Sequence, residues 1–134
     1  MDNLRREIKK QIAYCLNFER YKTAIVVSDS SKIEKVSNIL LEIIKNIPQE
    51  FIKDVGIKTF GQRKFIIFYN SNSIKLFVAS PANRAEKLNG CIVDKDISYF
   101  DFPIKGYMVY PMRDDNWLIE DQSEADKRVV EVKI

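Results

Sequence analysis

"TAIVVSDSSKIEKVSNILLEIIKNIP", residues 23–48, decides the fold class. Its first part, "TAIVVSD", is β-branched and apolar enough for a buried strand. Ser31 and Glu34 then form a capping-box pattern, which predicts a helix that runs through Ile47 and is ended by Pro48. Upstream, Leu4, Ile8, Ile12, Cys15 and Phe18 recur every three or four residues, while Arg5, Arg6, Lys9 and Lys10 crowd the other side. That spacing predicts an amphipathic helix. Helix, strand, helix is the opening of an α/β design.

Downstream, "VGIKTF", "KFIIFYN" and "SIKLFVAS" read as three strands. The polar "SN" of Ser71 and Asn72, beside Asn70 and Ser73, suits a hairpin between the last two. Ser80 can cap a short helix with Pro81 at its first position and Gly90 just beyond its end. "CIVDKDI" reads as a buried strand ending in a carboxylate, and "SYFDF", "GYMVY" and "RVVEVKI" as further strands. The expectation is one α/β domain over residues 1–134, with a mixed sheet, flanking helices and an inserted hairpin. Residues 1–97 form its core portion, and residues 98–134 add strands and an acidic segment.

A chain of 134 residues that is 46% hydrophobic and 31% charged can bury one sizeable core. No apolar run approaches the roughly 20 residues that a membrane helix needs, and the start "MDNLRREIKK" is charged where a signal peptide turns apolar. A cytoplasmic protein without a membrane partner is expected. Cys15 and Cys91 read as small buried apolar groups in a reducing compartment. The chain has no histidine, which removes Ser-His-Asp and Cys-His nucleophiles and zinc sites that need imidazole. Catalysis would rest on carboxylates, Lys and a hard metal. Net charge is +3, yet residues 114–127 hold six acids and one Lys, leaving +8 for the remainder. A basic body of this kind reads as a solvated Lys-rich surface and alternatively as a contact for nucleic acid.

"GIKTFGQRK", residues 56–64, has the glycine spacing of a phosphate-binding loop, but Gln62 and Arg63 stand where Lys and Ser or Thr belong. A strand-like stretch follows in place of a helix. No nucleotide and no other cofactor is expected, and the two glycines read as easing a turn. Taken in order, "TAIVVS", the long helix, the hairpin "FIIFYNSNSIKLFVASP", "NRAEKLNG" and "CIVDKD" resemble the ATPase core of phage terminase large subunits and related helicase-like P-loop ATPases. The resemblance spans roughly residues 4–100 and implies a P-loop-type core without its P-loop, and a phage or mobile-element origin. In that family the phosphate loop lies before the first helix, whereas this sequence opens on the helix. Asp94 falls at the family's metal-associated aspartate, but Lys95 replaces the glutamate that activates water, and an ammonium there repels Mg²⁺. ATP hydrolysis is therefore not expected, and Asp94 reads as a strand-end carboxylate capping a turn.

Arg84 lies where the family often places a basic residue near phosphate or DNA, and Lys87 follows on the same expected short helix, the pair reading alternatively as solvated surface. With Arg5, Arg6, Lys9 and Lys10 they are the candidate nucleic-acid contacts. Phe65, Phe68, Tyr69 and Phe77, with Arg63, Lys64 and Lys75 around them, read as core and alternatively as a base-stacking platform. The aromatic run from Tyr99 to Tyr110 alternatively lines a protein interface. Glu131 and Lys133 form the Glu-x-Lys pattern of metal-dependent nucleases, with Asp114, Asp115 or Asp121 as a second ligand. Against it, the sequence ends one residue after Lys133. The leading expectation is a non-enzymatic accessory protein that binds DNA or a protein. The alternatives are a Mg²⁺-dependent nuclease using Glu131 and Lys133, and a self-associating structural subunit.

Overall fold

The computed structural model describes residues 2–56, 64–79, 88–97 and 129–134. In chain order the elements are α1 (Asp2–Asn17), β1 (Lys22–Val27), α2 (Ile33–Ile44), β2 (Ile52–Val55), β3 (Lys64–Phe68), β4 (Ser73–Val78), β5 (Gly90–Asp94) and β6 (Val129–Val132). The strands form one six-stranded sheet in the order β2-β3-β4-β1-β5-β6. β4, β1, β5 and β6 run parallel, while β3 is antiparallel to both β4 and β2. The α/β expectation holds: the described residues form a mixed sheet and two α-helices.

β1 and β5 carry side chains buried on both faces, which is why they read as unbroken apolar runs and not as alternating ones. Ile25, Val27, Leu76 and Ile92 pack with Leu4, Ile8 and Ile12 of α1 and with Val36, Leu40 and Ile43 of α2. Both helices therefore cover the same face. On the other face Ala24, Val26, Phe77, Cys91 and Val93 form a second buried cluster. Cys15 and Cys91 are both buried, as expected. Burial pushes the Cys15 thiol far above its ordinary pKa, so it is not a nucleophile.

Several local expectations are corrected. Phe18 belongs to the predicted apolar stripe but stands 45% exposed, just past the end of α1. Ser31 does not cap α2. Asp29 caps a 3₁₀ turn over Ser30–Lys32, accepting from the Ser31 amide at 2.9 Å, and α2 starts only at Ile33. That helix ends at Ile44, three residues early, because the chain tightens into turns at Asn46 and Ile47. β2 begins at Ile52, upstream of the expected "VGIKTF". Gly90 opens β5, paired with Thr23.

The hairpin is present, but its turn is Tyr69-Asn70-Ser71. The Ser71 amide bonds to the Phe68 carbonyl and Ser71 adopts φ 70°, a type I turn followed by a left-handed residue. Asn72 is unavailable to the turn because its amide group donates to the carbonyls of Cys15 (2.8 Å) and Phe18 (2.7 Å), at the end of α1. Its side-chain oxygen accepts from Tyr21. One buried asparagine thus ties the hairpin to the α1–β1 connection. The predicted helix after Ser80, the strands "SYFDF" and "GYMVY", and the acidic segment lie outside the described residues.

Candidate functional site

From β1 the chain runs through α2 to the far edge of the sheet, returns through β2 and β3, and docks β4 on one side of β1. It then crosses to place β5 on the other side. Strand order reverses at β1, and in open α/β sheets the crevice beyond the C-terminal strand ends at such a reversal is where ligands bind. In this protein that crevice is built from the loop after β1 and the end of β5.

Asp94 is the last residue of β5 and is 1% exposed. Its Oδ2 accepts from the Ser28 amide at 3.0 Å and from Lys32 Nζ at 2.7 Å. Its Oδ1 accepts from the Asp96 amide at 3.2 Å. Lys32 also donates to Asp96 at 2.7 Å. Nearby, both the amide and the hydroxyl of Ser31 donate to Asp29. Burial by itself raises the Asp94 pKa, but the hydrogen bonds from Lys32 and from the Asp96 and Ser28 amides outweigh it and hold the carboxyl below its ordinary value. Hydrogen bonds to Asp94 and then Asp96 raise Lys32 above its own.

Chemically, this is a closed ion-pair knot. An ammonium already occupies the place a divalent cation would take beside Asp94. Among the described residues no group of three His, Cys, Asp or Glu side chains is arranged to hold a metal. Lys32 is set among three carboxylates, those of Asp29, Asp94 and Asp96, so the crevice does not favour a phosphate group either. The turn-capping reading of Asp94 agrees with its bond to the Asp96 amide. No local pattern points to Lys32, which lies 62 residues from Asp94 in the chain, and Lys95, next to Asp94 in sequence, is exposed.

The basic candidates lie elsewhere. Arg5, Arg6, Lys9 and Lys10 line one shallow depression on α1 together with Ala13. Arg5 is tied to Glu42 of α2 at 2.9 Å. Arg6 and Lys10 flank Glu7, at 3.8 and 3.3 Å, and Glu7 is 8% exposed, so its carboxylate sits beneath them. Lys9 makes no ion pair among the described residues. Arg84 and Lys87 lie outside the described residues, as do Asp114, Asp115, Asp121 and the aromatic run from Tyr99 to Tyr110.

Glu131 and Lys133 are exposed, at and just beyond the end of β6. Glu131 stands opposite Val93, whereas Asp94 stands opposite Val132. Successive residues of a strand point to opposite faces, so Glu131 and Asp94 lie on different sides of the sheet, and Lys133 falls just past the strand. Phe68 and Phe77 are core and Phe65 is half-buried over Gly56, while Tyr69 is 53% exposed. Gly56 therefore has a packing reason: a Cβ there would lie within 2.8 Å of the Phe65 ring.

The aromatic surface is instead at the end of α1. Tyr14 and Phe18 stack at 5.3 Å with their planes 5° apart, both resting edge-on against buried Tyr21. Phe51 and Tyr69 pair beside them, the Tyr69 hydroxyl donating to the Leu16 carbonyl. The spacing of residues 6, 10, 14 and 18 was the available signal, obscured because Phe18 also fits the apolar stripe. Among the described residues, no helix is long and apolar enough to cross a membrane. No protein-family model matches the chain, and neither a curated protein nor a solved structure is significantly similar to it.

Proposed function

We propose that this is a non-enzymatic accessory domain of phage or mobile-element type that binds a nucleic-acid backbone through α1. The observation that carries the reading is the Lys32–Asp94 ion pair, 2.7 Å long and buried on the Asp94 side. The one carboxylate that the terminase-like resemblance assigns to a metal is neutralised by the protein's own ammonium. The element order, with Asp94 ending a strand beside β1, is in keeping with a P-loop-type core lacking its P-loop. With the crevice closed and acidic, Arg6, Lys9 and Lys10 are the cations placed for a polyanion. Arg5 is occupied by Glu42 and serves mainly to join the helices.

Fluorescence anisotropy with a labelled duplex across about 50–200 mM salt tests this. Each phosphate neutralised contributes a slope near −0.9 in log affinity against log salt. The triple substitution Arg6→Gln, Lys9→Gln, Lys10→Gln is expected to flatten that slope by two to three contacts' worth, with an unchanged melting temperature. Mg²⁺-ATP is expected to leave the melting temperature flat, whereas saturation at 100 times Kd adds about 2.7 kcal/mol. Absence of any polynucleotide binding at 50 mM salt moves the assignment to a protein partner.

A further inference from the structure

Arg6, Lys10, Tyr14 and Phe18 recur every four residues along α1 and its exit, cations first and aromatics after, each step turning about 40° around the helix. Residues four apart on a helix are surface neighbours. At 1.5 Å per residue, the row from Arg6 to Phe18 extends about 18 Å. Among the described residues, the four large hydrophobic side chains that stand exposed are Tyr14, Phe18, Phe51 and Tyr69. Scattered apolar residues on a surface need no explanation, but these four gather at one end of α1 and form two ring pairs. Buried Tyr21 braces the Tyr14–Phe18 pair from beneath and hydrogen-bonds to Gln11 at 2.8 Å, which fixes the support.

Resting on the backbone-binding role proposed above, we infer that this row is a binding site for single-stranded DNA. Its phosphates follow Arg6, Lys9 and Lys10, and unpaired bases stack on Tyr14 and Phe18. A duplex keeps its bases stacked on one another and cannot offer their faces to a side chain. A cationic track leading onto nearly parallel rings fits a strand whose bases are free. Along α1 and its exit, exposed Arg6, Lys9, Lys10, Arg20 and Lys22 outnumber recessed Glu7, exposed Glu19 and, beside Phe51, Glu50, so charge favours a polyanion over an apolar peptide. Stacking and phosphate contact ignore the sugar hydroxyl, so no strong preference between DNA and RNA strands is expected.

The test measures anisotropy of labelled oligo-dT of 20 nucleotides, the same length of oligo-rU, and a 20-base-pair duplex, at 50 mM salt. Oligo-dT is expected to bind at least tenfold more tightly than duplex, and oligo-rU within a few-fold of oligo-dT. Tyr14→Leu and Phe18→Leu keep apolar bulk over Tyr21 but remove the ring faces. Together they are expected to weaken oligo-dT binding roughly 5- to 150-fold, with duplex binding unchanged. The Arg6, Lys9, Lys10 triple variant lowers the oligo-dT salt slope by about 0.7 per lost contact. Duplex bound as tightly as oligo-dT, or a folded double-leucine variant that binds oligo-dT within twofold of wild type, overturns the stacking site while leaving the backbone-binding role standing. A tenfold preference for oligo-rU also overturns it. Failure of every polynucleotide to bind sinks both.

Discussion

Replacing Lys32 by Met keeps the reach of the side chain and removes its charge. In the native fold the ammonium lies 2.7 Å from an oxygen of Asp94, whose side chain has no exposed surface, and 2.7 Å from one of Asp96. Removing one partner of a buried ion pair costs about 3–5 kcal/mol because the other charge stays uncompensated. Asp94 keeps the Ser28 and Asp96 amides, and hydrogen bonds to a charged group contribute about 1.5–3 kcal/mol each. The expected loss therefore falls toward the low end, at about 2–3 kcal/mol. The Asp96 contact is exposed and adds little.

Dependence on pH separates this mechanism from simple loss of packing. Asp94 is held below its ordinary 3.8 in the folded state, so its stabilising contribution is present above that value and is lost as pH falls through the folded pKa. Without Lys32, burial is opposed only by the hydrogen bonds from Ser28 and the Asp96 amide, and the folded pKa rises. The variant then protonates Asp94 earlier on acidification, and the stability gap to wild type narrows between pH 7 and pH 4. At the alkaline end the sign is opposite. Lys32 is raised above 10.5, so its contribution is present below that value and is lost as pH rises through the folded pKa. Urea denaturation of both proteins at pH 7 and pH 4, followed by circular dichroism, measures the gap. A difference below about 0.5 kcal/mol at pH 7, as for an exposed pair, or one that is the same at both pH values, would refute the reasoning.

Gly56→Ala is expected to destabilise the fold by about 1–3 kcal/mol in chemical denaturation, because the new methyl group meets the Phe65 ring. Asn72→Ala removes two donations to backbone carbonyls and the acceptor of the Tyr21 amide. Leaving such groups unpaired costs about 1–3 kcal/mol each, partly relieved at Cys15 by the remaining Asn70 bond, so a loss of about 2–4 kcal/mol and faster exchange of the Tyr21 amide are expected. Ser71→Gly relieves a left-handed residue at the hairpin turn and is expected to raise stability by up to about 1 kcal/mol, read from the melting temperature. Glu131→Ala changes an exposed position and is expected to shift stability by less than about 0.5 kcal/mol. Plasmid incubated with the wild type and Mn²⁺ stays intact; cleavage that this substitution abolishes would reinstate the nuclease reading.

Local pattern was enough for the α/β class, the buried strands at residues 23–27 and 91–94, the burial of both cysteines, the hairpin, and the separation of cations from the apolar stripe of α1. These features are encoded over a few residues, since periodicity of 3.6 or 2 and β-branching decide which side of an element avoids water. Tertiary structure decided what depends on distant pairing. Lys32 and Asp94 are 62 residues apart and meet because β5 docks beside β1. The turn at Ser71 is displaced from Asn72 because that side chain is needed at the end of α1. Phe18 satisfies the apolar spacing, yet the helix stops before it and the chain turns away to start β1, leaving the ring on the surface beside Tyr14. Glu131 alternates with Val130 and Val132 in any register, but only the pairing of β6 with β5 sets it on the other side of the sheet from Asp94. A sequence fixes the sides of its elements by local chemistry, while which sides face one another is set by the order in which strands join the sheet, and the candidate site lives in that order.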